Sequence, residues 1–278
     1  MNSVDDGALT ERSSRIVAAH RLLRRSRRVQ AGEFLADGAQ AVREAVAAER
    51  EQPGTVRELY VTEDAATRHV EIVRDAFGAG IAVTQVTDRA AAALTDAVTP
   101  QGITARCVLP DDDPTSLLGG GPKLVAVLVQ AADPGNAGTV IRLADAAGAD
   151  GVILAGDAVD PWSTKAVRAS VGSIFHLPVV RSADPLDLVA QLSEAGLSVL
   201  ATAGTADTDL DDAAAGGILD LPTAWLFGSE AHGLPDDVVA AADAAIRVPI
   251  HGRAESLNLA TAAAICLYAS ASAHRRAR

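Results

Sequence analysis

Cysteine, lysine and aromatic side chains are scarce in this 278-residue chain, and no apolar run is long. The two cysteines, Cys107 and Cys266, stand too far apart in sequence for a metal-type pair, and their apolar neighbours read as buried free thiols of a reducing compartment. Apolar runs such as Leu124–Val129 are far too short to cross a membrane. The opening MNSVDDGALTERSSR has no apolar segment behind a basic start, so no signal peptide is expected and the cytoplasm is the expected location. No His-Glu-x-x-His pattern or cysteine cluster accompanies the six histidines, and any chemistry is expected to be metal-free. No Gly-x-Gly-x-x-Gly follows a strand-like run, which argues against an ordinary dinucleotide fold.

What is present is the composition of a globular protein, 49% apolar and 22% charged. At roughly 150 residues per domain the length suggests nearly two domains, with a core that needs no disulfide. The net charge of −12 argues at first against a nucleic-acid partner. The average hides an asymmetry. Seven arginines (Arg12, Arg15, Arg21, Arg24, Arg25, Arg27 and Arg28) and His20 fall between Arg12 and Arg28 with no acid among them. Only two lysines, Lys123 and Lys165, occur in the whole chain. Such a run is either a solvated helix face or a local phosphate-binding patch, since guanidinium forks match phosphate oxygens.

The chain divides in two. From Arg12 to Leu109 helix-like and strand-like segments alternate: a helix over Gly38–Ala48 with Ala41, Val42, Ala45 and Val46 on one face, strands at Val56–Val61, Ile81–Thr84 and Ile103–Leu109, and a helix over Asp64–Phe77 capped by its own Asp. Residues 110–122, rich in Pro, Asp and Gly, read as a linker that neither packs nor pairs. From residue 123 to 278 the pattern is a cleaner α/β alternation. Strands are expected at Leu124–Gln130, Gly151–Leu154, Leu197–Ala201, Ala224–Phe227 and Ala245–Pro249, with helices between them and a last one over Glu255–Ser272. Continuous apolar strands joined by helices imply a parallel sheet covered on both faces, with ligands at the loops beyond the strands' carboxyl ends.

Three of those loops carry unusual polar residues. The first holds Asn136, readable as a helix cap, and leads to Arg142, a lone charge on an apolar helix that must reach a carboxylate, a phosphate or solvent. The second, Gly228–Pro235, holds Glu230, either a charge at a helix N-terminus or an active-site carboxylate; its small residues would let a ligand approach the backbone. The third, Pro249–Ala260, holds Ser256 and Asn258, readable either as the cap and a first-turn filler of the helix or as the frame of a polar ligand site.

Taken together, Asn136-x-Gly138-x-x-x-Arg142, Leu226-Phe227-Gly228-Ser229-Glu230-x-x-Gly233-Leu234 and Val248-Pro249-Ile250-x-Gly252-x-x-x-Ser256-Leu257-Asn258-Leu259-Ala260 resemble the three ordered motifs of the SpoU/TrmH family of RNA ribose 2′-O-methyltransferases. The likeness runs from Leu124 to about Ala269. In the first half, Arg28-x-x-x-Gly32-x-Phe34-Leu35-x-x-Gly38 resembles the opening of the substrate-binding domain often attached to this family, with Asp37 where Glu is commoner. Ala231 stands where the second motif often has Gly.

The resemblance implies an α/β methyltransferase domain of the SPOUT class, closed by a deep trefoil knot, behind a smaller N-terminal α/β RNA-binding domain over residues 12–109. It implies S-adenosylmethionine bound by Thr202, Gly228, Val248, Ile250 and Leu257, and a homodimer with no membrane partner. It also implies a catalytic set of Asn136, Arg142, Glu230, Ser256 and Asn258. Since a guanidinium stays protonated in proteins, Arg142 either serves as base or grips the target phosphate and steadies the developing alkoxide. Arg24, Arg27 and Arg28 are expected to capture RNA. With few aromatic side chains for base stacking, a folded RNA read through phosphate and shape is expected. Large-subunit ribosomal RNA is favoured over transfer RNA because the appended domain resembles a ribosomal one. A non-catalytic RNA-binding protein on the same fold, or a small-molecule enzyme on a plain α/β fold, are the competing readings.

Overall fold

The computed structural model describes residues 7–111 and 113–276. Residues 1–6, part of the stretch read as lacking a signal peptide, and Asp112 of the expected linker lie outside the described residues. The chain forms two compact units. One comprises the chain up to Pro110 together with Trp162–Phe175, and the other comprises Asp111–Pro161 together with His176–Arg278.

The first unit is built on strands β1 (Glu33–Asp37), β2 (Val56–Val61), β3 (Val83–Gln85) and β4 (Ile103–Val108). They lie in the order β1-β4-β2-β3, antiparallel except for the parallel β2–β3 pair. Helix Ala39–Glu51 buries Ala41, Val42, Ala45 and Val46, the face its periodicity predicts. The expected single helix over 64–77 is two, Glu63–Arg68 and Val70–Gly78, broken where His69 leaves helical geometry at φ −117° and ψ 40°. Its cap is Thr62, whose hydroxyl accepts from the Ala65 N–H, and not Asp64.

Segment 162–175, drawn from the middle of the second half of the sequence, packs into this first unit. Phe34 sits between the rings of Trp162 and Phe175, with centroids 4.8 and 6.0 Å away. Arg168 donates to the buried Asp37 at 3.3 Å and pairs with Asp96. Gly172 turns at φ +97°, and a Cβ there would come within 2.3 Å of the Glu44 side chain, so no larger residue fits.

The second unit carries β5 (Leu124–Val129), β6 (Gly151–Ala155), β7 (Val179–Ser182), β8 (Ser198–Thr202), β9 (Thr208–Asp209), β10 (Thr223–Phe227) and β11 (Ala244–Arg247). The sheet order is β7-β6-β5-β10-β8-β11-β9, and every pairing is parallel. Period-two alternation splits the core between its faces. Val125, Val127, Val129 and Leu226 point to a face that also holds Leu188, Val189 and Leu192 of helix Pro185–Glu194. On the other, Trp225 stacks on Phe227 and donates its indole N–H to Ser270 of helix Leu259–Arg276.

Three expectations need correction here. The linker contains a helix, Pro114–Gly119, capped by Asp113, and its Leu117 is buried in the second unit's core; Asp followed by Pro is a helix start that weighing Pro and Gly alone overlooks. Strands β7 and β9 escaped the periodicity because β7 has only two buried apolar residues, Val179 and Val180, before Arg181 and Ser182, and β9 is two polar residues, Thr208 and Asp209. The last helix begins at Leu259 and not Glu255, which leaves residues 248–258 outside regular structure.

Candidate active site

Parallel strands deliver their following loops to one end of the sheet, and three of these loops meet through side chains. After β5, helix Pro134–Ala147 is capped by Asp133, whose carboxylate accepts the Asn136 N–H at 2.9 Å. Because Asp133 meets the capping need, the Asn136 amide is free to act elsewhere. Its Nδ2 donates to Glu230 Oε1 at 2.7 Å, across 94 residues of sequence. Its Oδ1 accepts from Asn258 Nδ2 at 3.2 Å, across 122 residues.

Asn258 is anchored in turn. Its Oδ1 accepts the Ala260 N–H at 2.9 Å, and its carbonyl accepts the Ala262 N–H, so Asn258 caps the last helix. That capping bond commits the amide oxygen to the helix and turns the NH2 toward Asn136. The orientation then propagates: Asn136 must present oxygen to Asn258 and nitrogen to the Glu230 carboxylate. Glu230 rides on a loop closed by its own backbone, with Ser229 and Gly233 exchanging both N–H···O bonds at 3.1 and 2.9 Å. A Cβ on Gly228 would lie 2.1 Å from the Gly233 backbone. The demand for glycine at that position therefore comes from the loop folding on itself.

The remaining expected site residues are placed differently. Arg142 is exposed on helix Pro134–Ala147 and has no hydrogen-bond or ion-pair partner among the described residues. Six positions past Asn136, it lies about 120° round the helix from it. Ser256 is exposed in the irregular segment and has no capping bond among the described residues; the cap expected of it falls to Asn258. The Thr202 hydroxyl donates to the Leu226 carbonyl at 2.8 Å, tying the ends of β8 and β10. Val248 and Leu257 are half-buried and Ile250 is 39% exposed, all beyond the end of β11. Asp133 was not among the expected site residues; Pro at the first helical position after it is compatible with a cap there, and the structure shows that Asp133 and not Asn136 takes it.

A profile of the SpoU rRNA Methylase family matches residues 123–268, and one of the MRM3-like substrate binding domain matches residues 13–105. The chain belongs to the SpoU rRNA methylase family. It is 34% identical over 245 residues to the 23S rRNA (guanosine(2553)-2'-O)-methyltransferase RlmP of Bacillus subtilis, covering 87% of this chain and 89% of that one. It is 39% identical over 142 residues to the 23S rRNA (uridine(2479)-2'-O)-methyltransferase of Streptomyces viridochromogenes, covering 49% of this chain and 47% of the other. Among solved structures, the SpoU methyltransferase AviRb from Streptomyces viridochromogenes in complex with AdoMet superposes with a TM-score of 0.78 at 31% identity, over 94% of this chain and 98% of that one. The AdoMet-bound rRNA methyltransferase from Sinorhizobium meliloti gives 0.75 at 27% identity, over 97% and 96% of the two chains.

The residues beyond β11 of this SpoU chain suit such a donor. Among the described residues, no hydrogen bond engages the backbone of residues 249–257, which leaves its N–H and C=O groups without a protein partner in a segment that also carries the apolar Ile250 and Leu257. Free backbone donors and acceptors next to apolar side chains fit a purine edge and a thioether chain.

In the first unit, the arginine run divides. Arg24 and Arg27 are exposed, with Arg27 donating to Gln30 at 2.7 Å. Arg28 is corrected: it is buried, 3% exposed, and donates to the Leu22 carbonyl at 2.7 Å, so it braces the fold and cannot reach a phosphate. Arg15 is likewise engaged, by the buried Glu58.

Proposed function

We propose that this protein transfers a methyl group from S-adenosylmethionine to a ribose 2′-hydroxyl of large-subunit ribosomal RNA. The observation that carries this is the bonded line Glu230–Asn136–Asn258, drawn from three separate loops at one end of a parallel sheet in a SpoU-family chain. The similarity to RlmP along nearly the whole chain supports the ribosomal RNA substrate.

When bound, S-adenosylmethionine supplies a sulfonium methyl, so the new C–O bond forms in line as the C–S bond breaks and the hydroxyl proton departs. Thr202, Gly228, Val248, Ile250 and Leu257 would hold it. The chain's own task is to place the hydroxyl and relieve its proton. Glu230 keeps a second carboxylate oxygen, and each asparagine keeps one N–H, all oriented in advance by the cap at Asn258. Ser256, two residues before Asn258, would offer its exposed hydroxyl to the bound nucleotide. Arg142, permanently charged, grips the target phosphate and steadies the alkoxide while the proton leaves through that phosphate or water.

The trefoil knot and the homodimer belong to this reading. Strand β11 lies between β8 and β9, which the chain joins through residues 203–207 alone, an arrangement that supports threading of the C-terminal segment through a loop. Ile265 and Tyr268, exposed on one face of the last helix, support a second copy there. Residues 12–109 are the RNA-binding domain in this reading, with Arg24 and Arg27 on its phosphate-facing surface. The buried free thiols Cys107 and Cys266 accord with the cytoplasm. Among the described residues no helix is long and apolar enough to cross a membrane.

Calorimetry with S-adenosylmethionine, with and without RNA, tests the reading. Donor binding followed by methyl transfer to ribose is expected; a chain that binds RNA and ignores the donor would overturn it.

A further inference from the structure

The second unit holds 21 acidic side chains against eight basic ones, an unfavourable field for an RNA strand that must reach its loops. Most of the eight are committed or misplaced. Arg181 donates to the Ala158 carbonyl, and Arg247 to the carbonyls of Ala206 and Asp207 and to the Asp209 carboxylate. Lys123 precedes β5, at the sheet end opposite the three loops. Arg275 and Arg276 stand in the last turn of the final helix, and Arg278 lies outside the described residues. That leaves Arg142 and Arg253.

Arg253 is exposed, has no hydrogen-bond or ion-pair partner among the described residues, and belongs to the segment 249–257 that leads directly into Asn258. Five residues of even fully extended chain span about 17 Å, so its guanidinium stays within a few nucleotides of the trio. Gly252 beside it has open space where a Cβ would stand, which keeps the approach clear. His251, also exposed, flanks the same turn.

We propose that Arg253 binds a backbone phosphate of the RNA strand next to the target nucleotide, providing the local positive charge that lets RNA approach an otherwise acidic unit. This rests on the RNA methyltransferase reading and deepens it. A guanidinium with no partner among the described residues, on an irregular loop that leads into Asn258, is suited to a phosphate fork.

The test uses the full chain, S-adenosylmethionine and an unmodified large-subunit rRNA transcript, comparing the unaltered protein with Arg253→Gln and Arg253→Glu. RNA affinity is measured across a salt series, alongside donor affinity and turnover. Arg253→Gln is expected to weaken RNA binding about tenfold, Arg253→Glu more, and both to flatten the salt dependence by about 0.7 log units per log salt. Donor affinity should not change, and the loss of turnover should lie in KM for RNA. RNA affinity and salt slope equal to the unaltered chain would overturn the proposal, as would a loss confined to kcat. Failure of the enzyme reading itself is distinguishable, because the unaltered chain would then transfer no methyl at all.

Discussion

At the scale of single residues, Asn258 performs two tasks that can be separated. Its oxygen caps the last helix and its nitrogen holds Asn136. Asn258→Asp keeps a capping oxygen but loses the donor, so thermal stability should stay close to that of the unaltered chain while turnover falls about a hundredfold. Asn258→Ala loses both and should cost about 1 kcal/mol of stability in addition, read by chemical denaturation. Arg142→Ala and Arg142→Lys should each abolish turnover with donor affinity nearly intact in calorimetry; near-normal turnover by either would remove Arg142 from the chemistry. Asn136, Glu230 and Asn258 were legible as polar residues in strand-to-helix loops, each with a capping or first-turn reading that sequence alone could not separate from a site role. That Asn136 is released by Asp133 was less plain, since Asp and Asn compete for the same cap and only geometry shows which wins. Burial of Arg28 was invisible among its neighbours: a run of arginines looks uniform in sequence, and helix Arg25–Ala31, with Arg24 as its cap residue, turns only Arg28 inward onto the Leu22 carbonyl.

At the scale of elements, the same helix gives a contrast to measure. Reversing Arg24 and Arg27 to Glu should leave stability unchanged and flatten the salt dependence of single-stranded RNA binding by about 1.4 log units per log salt. Arg28→Ala should instead destabilise by about 1–3 kcal/mol, because it strands a buried carbonyl. The segment Trp162–Phe175 carries a further test. Arg168→Ala would leave Asp37 buried beside Thr95 and Thr104 without its counter-charge, a loss of about 3 kcal/mol in chemical denaturation. Helices with a clear apolar face, such as Ala39–Glu51, could be read directly from periodicity. The membership of 162–175 in the first unit could not, because it depends on Phe34 finding two rings from more than a hundred residues away. The overlong last helix has a related cause. An Ala-rich run extends a pattern past its true start, and the capping bond from the Ala260 N–H to the Asn258 amide oxygen decides where the helix begins.

For the whole molecule, the parallel sheet and the two-part organisation were legible because buried parallel strands are continuous apolar runs, while the sheet order was not, since pairing partners such as β11 and β8 carry no local signal. Two buried thiols set a pH limit on the intact protein. Burial, with Glu49 and Glu33 nearby, pushes the Cys107 thiol far up, and burial pushes Cys266 up to about 12. A thiol whose pKa is raised by folding contributes stability that is complete below the ordinary thiol value of about 8.5 and is lost as pH rises above it, because only the unfolded chain releases those protons. Denaturation midpoints should therefore decline through alkaline pH, and a Cys107→Ala, Cys266→Ala double variant should show a shallower decline. The most direct measurement is transfer of labelled methyl from S-adenosylmethionine to unmodified large-subunit rRNA, with the modified atom mapped. A single ribose 2′-O-methyl made by the unaltered chain and nearly absent with Asn258→Asp is the expected result. No transfer, transfer to a base, or full activity in Asn258→Asp would contradict it.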